Sequence, residues 1–149
     1  MTPVYRAPMR ARDREVLGAD HGLAGGIVGI GDALSRVPAS LDAAVTAAAA
    51  EHGPKAGRML QAFAELPVDT FVWARASDGS YHLGRICGRW RYVDSPVGIV
   101  HVRPAKWLER PFGEDLVPAA VAHTFARGGR NLQRIRDERA ERLTAELWG

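Results

Sequence analysis

Arginine interleaved with tryptophan and tyrosine is the pattern in this chain best suited to chemistry, and that chemistry is binding. Between Phe71 and Arg110, seven basic side chains (Arg75, Arg85, Arg89, Arg91, Arg103, Lys106, Arg110) stand against Asp78, Asp94 and Glu109. Trp73, Tyr81, Trp90, Tyr92 and Trp107 are set among them. Bases stack on aromatic faces, and guanidinium forks meet phosphate. Eighteen of the 20 basic residues are Arg; only Lys55 and Lys106 are Lys. Two plainer readings stay open. A GC-rich genome favours Arg codons. On a strand, alternate residues face opposite sides, which makes Trp90 and Tyr92 core and leaves Arg89 and Arg91 as a solvated face.

Signatures of bond-breaking chemistry are missing. No GxxxxGK[ST] phosphate loop occurs, and GIVGIG at 26–31 lacks the GxGxxG spacing of dinucleotide sites. The five histidines (His21, His52, His82, His101, His123) are scattered without HExxH spacing, so neither a metal nor another cofactor is expected. The single cysteine, Cys87, excludes an internal disulfide and reads as a small buried residue in mid-strand. Asp78 and Asp94 are turn residues.

The elements that must position these residues follow from periodicity and punctuation. Residues 1–14 hold four Arg and two Pro, with a short strand at 4–7 and otherwise a loop. Ile27 to Ile30 is a glycine-saturated β run, which permits close approach of another chain or a ligand. Ser40 is placed to cap a helix running to about His52, which Gly53-Pro54 breaks. A second helix covers about 55–66, burying Met59, Leu60 and Phe63. Strands follow at 70–75 and 81–88 around an Asp78-Gly79 turn, then at 90–93 and 99–103, where Pro104 ends the run; 107–109 is a last short strand. Helices are expected at 117–126 and 131–148, the latter with Arg134/Glu138 and Glu138/Arg142 pairs.

The chain of 149 residues, 46% hydrophobic and 25% charged, is enough for one domain with its own core. Net charge is +3 and the isoelectric point about 9.5. No apolar run approaches the roughly 20 residues that span a bilayer. The charged start lacks an apolar signal segment. A cytoplasmic protein with no membrane partner is expected, folded as a single α+β domain over 1–149.

The order of motifs is similar to a known family. GIVGIGD at 26–32, TFVW at 70–73, LGRICGRWRY at 83–92 and HVRPAKW at 101–107 resemble the PUA-like, EVE-like barrel at the N-terminus of Mrr-type restriction proteins. Pro118 and NLQRI at 131–135 correspond to that domain's ending. The resemblance covers about 22–137 and leaves 138–149 as a helical extension. Asp69-Thr70 replaces the family's Gly-Asp, and Gly128-Gly129-Arg130 is looser than its usual ending. The resemblance implies a small antiparallel β-barrel flanked by helices that reads a modified or flipped base in DNA or RNA. No nuclease domain follows within the chain, so the resemblance implies a reader without the cutter, acting alone or with an effector protein such as a nuclease.

The resemblance also implies a site. Trp73 or Trp90 forms a stacking wall. Gly29, Ile30 and Gly31 line the pocket with backbone, Asp32 accepts from a base amino group, and Arg89, Arg103 and Arg130 hold flanking phosphates. Two other functions are carried beside it: a small nucleotide-processing enzyme, with His123 and Asp32 as its only candidates, and a protein-interaction adaptor acting through the charged C-terminal helix.

Overall fold

The computed structural model describes residues 2–11 and 18–149. The loop expected at the N-terminus therefore falls partly outside the described residues. A curled mixed sheet forms a half-barrel, with five α-helices packed around it among the described residues.

The strands are β1 (Val4–Arg6), β2 (Ile27–Ile30), β3 (Phe71–Arg75), β4 (Tyr81–Ile86), β5 (Arg91–Tyr92), β6 (His101–Trp107) and β7 (Gln133–Arg134). Their order is β2-β6-β4-β3-β1-β7, with β5 paired to β6 beside β4. The antiparallel sheet expected from the motifs is corrected in one respect: β1 runs parallel to β3, with Val4 opposite Phe71 and Arg6 opposite Trp73. The sheet is also open, with β2 and β7 at its ends.

Pro104 does not end a strand. Strand β6 passes through it because consecutive N–H groups point to opposite edges. Ala105 N–H reaches Gly26 O, and the Pro104 carbonyl takes Cys87 N–H at 2.8 Å on the other edge. The proline's missing donor thus falls in the gap between β4 and β5. Gly88 sits in that gap, where a Cβ would come within 2.6 Å of the Pro104 ring. Cys87 is exposed rather than buried, because it lies past the end of β4.

The helices are α1 (Ala19–Gly25), α2 (Leu41–His52), α3 (Pro54–Glu65), α4 (Ala119–Ala126) and α5 (Glu138–Trp148). Ser40 caps α2 by accepting Ala43 N–H at 3.1 Å. Helix α5 begins at Glu138, not 131: Gln133 and Arg134 pair with Arg6 and Tyr5 on β1, and Asp137 caps the helix at Ala140 N–H. Arg134 therefore lies on a strand, and the expected Arg134/Glu138 helical pair does not form.

Period-2 alternation divides the core between the two faces of the sheet. Val72, Ala74, Ile86 and Ala105 share one face, where they pack with Val28, Phe63 and Ile99. Phe71, Trp73, Tyr81 and Leu83 share the other with Phe112, Val121, Ile135 and Ala140. Helices α2 and α3 close on each other through Ala44, Ala48 and Leu60, and meet the sheet at Ile30 and Trp90.

Candidate nucleic-acid site

The end of β2, the corner between α2 and α3, and two segments flanking the β1–β7 edge enclose a cleft of about 270 Å³. Ile30, Gly31 and Asp32 form its sheet side, with His101 on the neighbouring strand. Ala48, His52, Lys55, Ala56, Met59 and Leu60 come from the helices. Arg10 follows β1, and Arg130, Asn131 and Leu132 precede β7. Apolar walls and three cationic side chains thus face one carboxylate.

Local constraints hold each part in place. Gly53, at φ 102°, takes a conformation that side chains disfavour and turns α2 into α3. This corner brings His52 and Lys55 to one rim. His52 Nε2 meets Ala33 O at 2.7 Å, and Ser35 N–H donates to Glu51 at 2.9 Å, so the chain leaving β2 is tied to α2. The Tyr92 hydroxyl takes Leu34 N–H at 2.9 Å. Gly31 allows the N-terminal chain to pass closely, since a Cβ there would lie 3.1 Å from Ala11 Cα. Asp32 adopts φ 70°, a left-handed conformation that aspartate tolerates better than most residues.

His101 forms the floor. Its Nδ1 accepts the Trp90 Nε1–H at 3.2 Å, which fixes the proton on Nε2; Nε2–H then donates to Asp32 O at 3.3 Å. The ring stacks on Trp90, with centroids 6.2 Å apart, and Tyr92 meets it edge-on at 5.3 Å. Burial pushes its pKa down to about 4, only partly offset by Asp32, so it is neutral at physiological pH.

Four of the expected site residues meet in this cleft: Ile30, Gly31, Asp32 and Arg130. The others do not line it. Trp73 is fully buried on the opposite face, donating Nε1–H to Thr144 Oγ1 at 3.1 Å and packing edge-on to Phe112. It cannot be a stacking wall. Arg103 is 3% exposed and donates to the carbonyls of Gly88 (2.9 Å), Phe63 (3.1 Å) and Leu66. It holds the C-terminal end of α3 to the sheet and is spent on backbone, not phosphate. Gly29 is a packing glycine, since a Cβ would lie 2.6 Å from His101 O. Trp90 stands behind His101, half-buried, and Arg89 is exposed on the β4–β5 connection. His123 lies on the exposed side of α4 and does not join Asp32.

Sequence reasoning missed Arg10, His52, Lys55 and His101. The Gly53-Pro54 break placed His52 and Lys55 at one corner, a usable signal. Arg10 had none, because only the β1–β3 pairing carries it to the cleft.

Among the described residues, no group of three or more His, Cys, Asp or Glu is arranged to hold a metal. Among the described residues, no helix is long and apolar enough to cross a membrane. No protein-family model matches the chain, and neither does any curated protein or solved structure.

Proposed function

We propose that this protein is a nucleic-acid-binding module that takes one base, modified or flipped, into the cleft between β2, the α2–α3 corner and residues 130–132. The observation that carries this reading is the ring of Arg10, Lys55 and Arg130 around an apolar-walled cleft of about 270 Å³. That volume lies just below the range of roughly 300–1,000 Å³ typical of drug-sized pockets, so one small planar group fits it. Ile30, Met59 and Leu132 offer apolar faces, and the cations draw in the phosphates. The backbone at Gly31 and Asp32 supplies polar recognition along the base edge, above a floor formed by His101, whose two ring nitrogens are already engaged. The similarity of HVRPAKW and LGRICGRWRY to the PUA-like, EVE-like domain of Mrr-type restriction proteins supports the same reading.

Binding to modified and unmodified DNA and RNA, titrated against salt, is the test. Lys55→Ala and Arg130→Ala should each weaken binding about five- to tenfold and lower the salt slope by about one. Arg89→Ala, outside the cleft, should change affinity less than either. Absence of salt-dependent binding to every one of these nucleic acids would sink the proposal.

A further inference from the structure

Arg6 is a buried cation with no acidic partner among the described residues. It is 3% exposed. Its Nη1 donates to Thr124 O at 2.9 Å and Gly128 O at 2.6 Å, and its Nη2 to Asn131 O at 3.0 Å. Its Nε is buried and has no hydrogen-bond partner. Among the described residues, no carboxylate lies within ion-pair distance of it. Burial, with the charge of Arg127 as a smaller contribution, lowers its pKa. A buried charge is normally paired. Here carbonyl dipoles at the end of α4 do part of that work, and positive potential is left over.

That potential borders a second cavity of about 420 Å³, lined by Arg6, Arg10 and Arg75, with Ser77, Asp78 and Gly129. Among the described residues, three guanidiniums and one carboxylate line it, and Asp20 stands behind Ser77, accepting from its N–H and its hydroxyl. Asp78 is engaged with its own hairpin, accepting from Ser80 N–H at 2.9 Å and from the Ser80 hydroxyl at 2.6 Å. Arg75 lies over the Tyr81 ring at 5.2 Å and spends only Nε in hydrogen bonding, on Gly79 O at 3.2 Å; an arginine carries four further N–H donors. Gly129, at φ 111°, lies over the Arg6 guanidinium, where a Cβ would come within 3.0 Å. Arg10 lines both this cavity and the first cleft, so the two adjoin at one side chain.

We infer that the second cavity holds the phosphodiester next to the inserted base, so that the ligand is a nucleic-acid strand and not a free nucleotide. This rests on the base-binding reading of the first cleft. Arg10 bridges the two, while Arg6 and Arg75 supply the field for the neighbouring phosphate.

The experiment compares deoxycytidine 5′-monophosphate with a labelled five-nucleotide deoxycytidine strand, each with and without 5-methylation. Wild type, Arg75→Ala, Arg75→Gln and Lys55→Ala are titrated, with circular dichroism to verify folding. Both Arg75 variants should weaken strand binding about tenfold, lower its salt slope by about 0.7 and leave the monophosphate unchanged. Lys55→Ala should weaken both probes. Unchanged strand affinity in the Arg75 variants overturns the second site while a Lys55 effect sustains the first. Equal weakening of both probes by the Arg75 variants also overturns it, because the cavity would then take the nucleotide's own phosphate. No binding of the strand to wild type also overturns the inference, and binding that Lys55→Ala leaves unchanged for both probes overturns the base-binding reading itself.

Discussion

His101 shows how one residue is committed by its neighbours. Trp90 donates to one ring nitrogen and Asp32 O accepts from the other, so a second proton would have to displace the Trp90 contact. With a folded pKa of about 4 against an ordinary 6.5, the unfolded chain takes up the proton first as pH falls. Stability is therefore full above about pH 6.5 and declines as pH drops toward 4, by on the order of 3 kcal/mol. Urea unfolding at pH 7 and pH 4.5 should show this loss. His101→Gln should flatten the slope across that window, and an unchanged slope in this variant would rule the assignment out. Trp90→Phe removes the donor that holds Nδ1 unprotonated, and should raise the His101 pKa as read by the ring's NMR titration.

At the scale of elements, two buried arginines fasten helix ends to the sheet. Arg103 satisfies carbonyls at the end of α3 and on the β4–β5 connection, and Arg6 satisfies those at the end of α4. Removing Arg103 strands three acceptors, one of them in the core. Arg103→Ala should cost about 3 kcal/mol in chemical denaturation, and Arg103→Lys should recover little because it lacks the fork. The folded fraction should bind nucleic acid as wild type does; a selective loss of binding with stability intact would return Arg103 to a phosphate role. Gly88→Ala should cost about 1–3 kcal/mol, since its Cβ would meet the rigid Pro104 ring. The two strongest local signals, Ser40 as a cap and Asp78-Gly79 as a hairpin turn, were legible because each acts within a few residues. Strand β7 was not. Gln133 and Arg134 are polar and exposed, and only their pairing with residues 5 and 6 makes them a strand.

Across the whole molecule, the sheet buries both faces, and this decides which aromatics are available to a ligand. Trp73 belongs to the face covered by α5, where Thr144 accepts its Nε1–H and Trp148 meets Phe71 edge-on at 6.0 Å. Helix α5 is therefore a structural layer over that core. Truncation after Asp137 should lower the denaturant midpoint sharply and redden Trp fluorescence as Trp73 meets water. A truncated protein as stable as the full chain would contradict this packing. Thr144→Val should cost about 1–3 kcal/mol by leaving the indole N–H unpaired.

Local chemistry in the chain was enough for the α+β class, most helices and hairpins, and a basic-aromatic middle segment. Those properties depend on caps, turns and alternation, which operate over a few residues. The glycine-rich end of β2 was pointed to as a pocket wall by the family resemblance, not by local chemistry. Which basic residues face that cleft was settled only by folding. The parallel pairing of β1 with β3, 67 positions away in the register Val4 to Phe71, carries Arg10 to the cleft and sets Arg6 among the carbonyls of the 124–131 segment. Alternation along β6 turned Arg103 inward to backbone, and alternation along β3 turned Trp73 toward α5. Alternation along a strand states that two faces exist; only the helices packed on each face decide which one a ligand can reach.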